Sequence, residues 1–181
     1  MERADAARNR ARILEAAAEL FAARPAQDVT MDDIAKAAGV GRGTLYRRYP
    51  DRASIAVALL DEHERALQEK LLRGDPPLGP GAPPAERLTA FYAAMVELLE
   101  GHVHLVLGAE VGRSRFETGA YGFWRAHVRS LLVAAGTRAP DALVDALLAP
   151  LAPEVYGYQR HDLGLTPAQI AEGLSRLTGA L

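Results

Sequence analysis

Residues 30–50 constrain this chain more than any other stretch: Thr-Met-Asp-Asp-Ile-Ala-Lys-Ala-Ala-Gly-Val-Gly-Arg-Gly-Thr-Leu-Tyr-Arg-Arg-Tyr-Pro. Two short helical patterns meet across a glycine, and a proline closes the second. Thr30 stands where a hydroxyl can cap the first helix by accepting from an unpaired N–H of its first turn. Asp33 takes the acid position of a capping box, and Asp32 and Asp33 suit the positive end of the helix dipole. Ile34, Ala35 and Ala38 recur at helical spacing and make one apolar face. Gly39 follows, where a left-handed cap needs a residue without Cβ. Ala35 is small enough for a second helix to cross close by, and Val40 fills the corner.

The second helix is expected from about Gly41 to Arg48. Leu45 is its one strong apolar residue and its anchor to a core. Arg42, Thr44, Tyr46, Arg47 and Tyr49 are left to face outward, offering forked donors, a hydroxyl and phenols. Gly43 removes a side chain and lets backbone approach a sugar or phosphate. Pro50 disfavours helical geometry at Tyr49 and stops the helix. Asp51 caps the next helix, whose first turn carries Arg52. A cation there opposes the dipole and calls for a partner such as phosphate. A helix pair of this kind is built as a helix-turn-helix is built to enter the major groove of DNA.

Thr30–Ala53, and above all Gly43-Thr44-Leu45-Tyr46-Arg47-Arg48-Tyr49-Pro50-Asp51-Arg52, closely resembles the DNA-binding segment of TetR-type transcriptional regulators. The resemblance reaches back through Arg12-Ile13-Leu14-Glu15-Ala16-Ala17 and Leu20-Phe21, and covers the first third of the chain. It implies a dimer, usually a repressor, whose C-terminal helices bind a small molecule. Thr30, Arg42, Gly43, Thr44, Tyr46, Arg47, Arg48, Tyr49 and Arg52 are the DNA-binding candidates. Two departures stand out. Gly41 occupies a place where many members carry a capping Ser, and Arg24-Pro25-Ala26-Gln27-Asp28 replaces the usual glycine-aromatic turn.

The net charge of −2 looks wrong for a DNA binder until the chain is divided. Residues 1–52 hold 10 Lys and Arg against 8 Asp and Glu, whereas residues 53–181 hold 11 against 15. Positive charge is therefore local, and a patch governs phosphate attraction. Arg3, Arg8, Arg10 and Arg12 extend it. With no Cys there is no disulfide framework and no thiolate zinc site. The N-terminus is charged and no apolar run reaches spanning length, so a cytoplasmic protein without membrane contact is expected.

Helical patterning continues throughout, with no period-2 alternation. The expected class is all-α: a three-helix DNA-binding domain over 1–52 and a ligand-binding and dimerisation bundle over 53–181. Helices are expected over 8–23, 52–73, 84–100, 102–112, 117–135 and 139–160, the last kinked near Ala149 by Pro150 and Pro153. Thr166 and Pro167 open the last helix. No flexible linker precedes helix 52–73, so tilt can pass along it.

Leu143, Leu147, Leu151, Val155, Ile170, Leu174 and Leu177 form two late apolar stripes; in the resembled family the last two helices pair across the dyad. Either core burial or dimerisation accounts for them. Leu67, Phe91, Tyr92, Met95, Phe116, Trp124 and His127 are expected to line a pocket for an apolar or aromatic effector, packed core being the alternative. His102 and His104 lie at i and i+2, about 200° apart on a helix, and cannot chelate together; no metal and no cofactor is expected. Phosphate loop, nucleophile elbow and dinucleotide turn are absent, and Glu97, Glu100 and Glu110 read as solvated helix acids. The expected protein is no enzyme but a dimeric regulator of a pseudo-palindromic operator, released by its effector. A constitutive DNA-binding dimer, or an enzyme or ligand-binding protein using the aromatic pocket, stays open.

Overall fold

The computed structural model describes residues 2–24, 28–109 and 119–180, with backbone alone at 2–4, 103–109 and 180. Helices α1 (Glu2–Ala23), α2 (Met31–Ala38), α3 (Arg42–Arg48), α4 (Arg52–Arg73), α5 (Pro84–Ala109), α6 (Gly119–Ala134), α7 (Pro140–Leu148), α8 (Pro153–Gly157) and α9 (Pro167–Ser175) follow one another. No strand occurs among the described residues.

The chain forms two compact units, Met1–Glu62 and His63–Leu181. They divide inside α4 rather than at its start, because the opening turns of α4 belong to the first core. Ile55 and Leu59 pack there with Ile13, Leu14 and Ala17 of α1, Ile34, Ala35 and Ala38 of α2, and Leu45 of α3. The second core gathers Leu67 and Leu71 of α4, Leu88, Phe91, Tyr92 and Leu99 of α5, and Trp124, Val128 and Leu132 of α6. Val144, Leu148, Tyr156, Ile170 and Leu174 complete it.

Local chemistry explains most boundaries. The Thr166 hydroxyl accepts from Gln169 N at 3.2 Å while Thr166 N donates to Gln169 Oε1 at 2.9 Å, a reciprocal cap on α9. Pro150 and Pro153 break the 139–160 pattern where expected. A 3₁₀ turn spans Ala149–Leu151, α8 restarts with proline at its first position, and a π-helical turn over Tyr158–Asp162 follows. One expectation fails. The segments 84–100 and 102–112 do not form separate helices, since α5 runs unbroken through Gly101 to Ala109. Glycine inside a helix costs only about 1 kcal/mol, and buried Leu99 and His102 hold α5 on either side. Among the described residues no helix is long and apolar enough to cross a membrane.

Candidate functional site

The turn between α2 and α3 is built as its residues dictate. Thr30 Oγ accepts from Asp33 N at 3.1 Å, and Thr30 N donates to Asp33 Oδ2 at 3.0 Å. Asp thus closes the capping box despite its short reach, and Arg24 Nη2 adds a bond to Asp33 Oδ2 at 2.6 Å. The Thr30 backbone bond, then the Thr30 and Arg24 side chains, hold the Asp33 carboxyl below its usual range. Gly39 ends α2 at φ 60°, in the left-handed region, and Arg12 Nη2 donates to its carbonyl at 3.1 Å. Gly41 opens α3 with no side-chain cap. Asp51 caps α4, its Oδ1 accepting from Ser54 N at 2.8 Å.

Leu45 is the sole buried residue of α3, at 0% exposure. Arg42, Gly43, Tyr46, Arg47 and Arg48 are exposed and Thr44 is half-buried. A Cβ added at Gly43 would meet nothing within 4 Å, so this face of α3 is open for close backbone approach. Thr30, Arg42, Tyr46 and Arg52 converge on a hollow of about 440 Å³, together with Asp32, Pro50 and Asp51.

The arginines are exposed but engaged. Arg42 Nε pairs with Asp32 Oδ1 at 2.7 Å. Arg47 Nε donates to Gly43 O at 3.0 Å along its own helix, and Arg48 Nη1 reaches Ala6 O of α1 at 3.2 Å. Arg52 Nη1 donates to Val29 O at 2.9 Å. The cation opposing the α4 dipole therefore has a backbone carbonyl, where the sequence pointed to a phosphate. Tyr49 does not face outward: it is buried in the first core, because the extended geometry imposed before Pro50 turns it inward.

The expected aromatic pocket is packed core. Phe91 and Tyr92 are fully buried, and Met95, Trp124 and His127 nearly so. The Phe91 ring lies 6.0 Å from Trp124 and 5.4 Å from His127, centroid to centroid. Tyr92 donates to Leu147 O at 3.1 Å, and burial pushes its phenol up to about 12. Burial, then the Arg87 charge, pushes His127 down to about 4, and its Nε2 has no partner among the described residues. Phe116 and Glu110 lie outside the described residues, as does the His104 side chain.

An open space lies elsewhere. A cleft of about 430 Å³ runs between α4 and α5, lined by His63, Ala66, Leu67, Lys70, Leu78, Ala94, Glu97, Leu98, Gly101 and His102. Among the described residues of the expected pocket, only Leu67 borders it. In its lining His63 Nδ1 and His102 Nε2 share a hydrogen bond, and His102 is buried with its Nδ1 unpartnered among the described residues. His63 stands on α4 and His102 on α5, so no spacing within one helix pairs them. Among the described residues no cluster of three His, Cys, Asp or Glu could hold a metal.

Glu100 was also misjudged as a solvated acid. Arg160 Nη2 and Nε meet its two oxygens at 2.7 and 2.8 Å, and Tyr156 donates to it at 2.5 Å. These contacts, Arg160 foremost, bring the carboxyl down to about 2. The late stripes also divide. Leu151, Ile170 and Leu174 are spent in the second core, and Leu147 is half-buried against it. Leu143, Val155 and Leu177 stay about 40% exposed.

Residues 13–59 match the family model described as bacterial regulatory proteins, tetR family. An uncharacterized HTH-type transcriptional regulator of Mycobacterium bovis is 46% identical over 65 residues, covering 35% of this chain and 34% of that protein. The match thus spans about a third of that curated relative. Two solved structures share the fold along nearly all of the chain. Thermus thermophilus FadR, a TetR-family repressor in complex with lauroyl-CoA, has a TM-score of 0.62 at 24% identity, over 93% of this chain and 92% of its own. The SmeT–triclosan complex has a TM-score of 0.63 at 16% identity, over 95% and 90%.

Proposed function

We propose that this chain, whose residues 13–59 match the family model described as bacterial regulatory proteins, tetR family, is a cytoplasmic, small-molecule-responsive repressor of transcription. The reading is of a homodimer that binds a pseudo-palindromic operator and leaves it when an effector binds. The observation that carries it is α3: one buried leucine, an exposed row of Arg42, Tyr46 and Arg47, and an open backbone at Gly43. In this reading Arg42 reads a base edge in the major groove. Thr30 and Tyr46, at the rim of the neighbouring hollow, hold a backbone phosphate. Arg52 is bound to Val29 O and positions the start of α4 as much as it attracts DNA.

Dimerisation through the faces bearing Leu143, Val155 and Leu177 sets the spacing of two α3 helices to the half-sites. The effector occupies the cleft between α4 and α5 rather than the aromatic core. FadR and SmeT, which share the fold, are known with lauroyl-CoA and triclosan bound. Occupation of the cleft shifts the tilt of α4, which begins at the DNA-binding unit and runs into the effector unit without a break. To weaken operator binding about a hundredfold, the effector must favour the released form by roughly 2.7 kcal/mol.

The test is a selection of bound duplexes from a random pool, followed by mobility shift and sedimentation. A two-fold-symmetric consensus bound by a dimer supports the reading, as does its release by a compound that raises the melting temperature. A stable monomer at micromolar concentration, or no sequence preference, overturns it. For Arg42→Ala, relaxed discrimination between selected and random DNA is expected.

A further inference from the structure

We infer that the cleft between α4 and α5 takes an apolar monocarboxylic acid, its carboxylate on the Nδ1 edge of His102 and its body along Leu67, Leu78, Ala94 and Leu98. The inference rests on the effector reading above and gives that effector a chemical class.

The hydrogen bond between His63 Nδ1 and His102 Nε2 consumes one N–H of the pair. Two neutral imidazoles carry two N–H groups, so the second must sit on an outer nitrogen. One outer nitrogen is His102 Nδ1, on a side chain 92% buried (8% exposed), and it has no partner among the described residues. A buried polar atom without a partner is costly, and the imidazole that carries it borders an open cleft. The other polar side chains of the cleft are Lys70 and Glu97, whose opposite charges offset each other. The remaining lining is Ala66, Leu67, Leu78, Ala94, Leu98 and Gly101, which suits an apolar body.

A carboxylate meets the unfilled need better than any neutral group. Burial first, and the neighbouring His63 second, push the empty-cleft His102 down to about 4. An anion at Nδ1 opposes both effects and favours the imidazolium. Protonated His102 then donates from both nitrogens, through Nε2 to His63 and through Nδ1 to the ligand. Such a charge-assisted bond is about twice as strong as a neutral one. An alcohol can make only the neutral bond, and an ammonium group is repelled. The charged and titratable groups facing His102 are His63 and Lys70 from α4 and Glu97 from α5. Since the complex binds one more proton than the free protein, affinity rises as pH falls toward neutrality and below.

The experiment is calorimetric titration of the full chain with octanoate, octan-1-ol and octylamine, in two buffers of different ionisation enthalpy. Octanoate should bind roughly tenfold more tightly than octanol, and octylamine most weakly. Uptake of close to one proton at neutral pH should accompany octanoate alone. His102→Gln keeps a donor but cannot be protonated, so acid and alcohol should bind alike with no proton uptake. His63→Gln, whose site is exposed and which spares the buried ring, serves if His102→Gln does not fold; it should shrink the acid preference. Octanol binding as tightly as octanoate overturns the inference, as does an acid preference that survives both substitutions. If no octyl compound binds but a broad thermal-shift screen finds another compound that releases DNA, the acid assignment fails and the effector reading stands. If the screen finds no stabiliser at all, the effector reading itself fails.

Discussion

Asp32→Asn should tighten DNA binding, and most of the gain should pass through Arg42. In the free protein Arg42 Nε sits 2.7 Å from Asp32 Oδ1, with the two side chains 69% and 53% exposed. An exposed pair of this kind contributes about 0.2–1 kcal/mol. That interaction must be surrendered before Arg42 can reach a base. Asp32 also carries a negative charge beside the hollow expected to hold a phosphate. Two like charges about 8 Å apart in water repel by roughly 0.5 kcal/mol. Together the terms amount to about 1 kcal/mol, or close to fivefold in affinity. Fluorescence anisotropy on a selected duplex at fixed salt would measure it, repeated in an Arg42→Ala background. There the gain should fall to about twofold, the phosphate share alone. Equal gains in both backgrounds would show that Asp32 acts only as bulk charge, and no gain in either would refute its competition for Arg42. Asp32 also suits the dipole of α2, so Asp32→Asn should cost about 0.3–1 kcal/mol of stability, checked by urea denaturation.

Three further outcomes are expected. Gly39→Ala should destabilise the protein by about 1–2 kcal/mol in urea titrations, because φ is +60° and the new Cβ would lie 2.5 Å from Arg12 Nη2; Gly39→Asn should cost less, since Asn tolerates that conformation. Glu100 is depressed from 4.5 to about 2, so its stabilisation is full above about pH 4.5 and is lost as pH falls through 2. With the carboxylate side chain 40% exposed, screening reduces the expected contribution to about 1–2 kcal/mol, and Glu100→Gln should remove that part of the acid slope in thermal melts. Leu143→Asp combined with Leu177→Asp should give a folded monomer by sedimentation with weakened operator binding, whereas Ile170→Asp should unfold the C-terminal unit.

What was legible in the sequence was what local chemistry decides. Thr30, Gly39, Pro50 and Asp51 each act on residues within one turn of themselves, and the structure uses each as expected. Thr166, Pro150 and Pro153 are of the same kind. What was not legible lies where a residue's partner is distant in sequence. Arg52 finds Val29 O, His63 finds His102, and Glu100 finds Tyr156 and Arg160. Helical periodicity could place each of these on a face but could not say what stood opposite. Tyr49 was lost differently: it sits at a helix end, where the geometry imposed by Pro50 overrides the periodicity of α3.

The aromatic residues of the C-terminal unit carry the same lesson into function. Aromatics among a few polar side chains can form a packed core or a pocket wall, and composition does not separate the two. Phe91, Tyr92 and Trp124 close on one another because each has an apolar neighbour at contact distance and Tyr92 has a carbonyl for its hydroxyl. A binding site requires the opposite, a polar group whose partner the protein does not supply. Two buried imidazoles meet that condition, but His127 is packed against Phe91 in the core, whereas His102 borders a cleft. Of these two imidazoles, it is His102 that brings an unfilled bond to the edge of an unfilled space. Since α4 lines that cleft and also begins in the first core with Ile55 and Leu59, a ligand answering His102 would bear on the helix through which the proposed release acts.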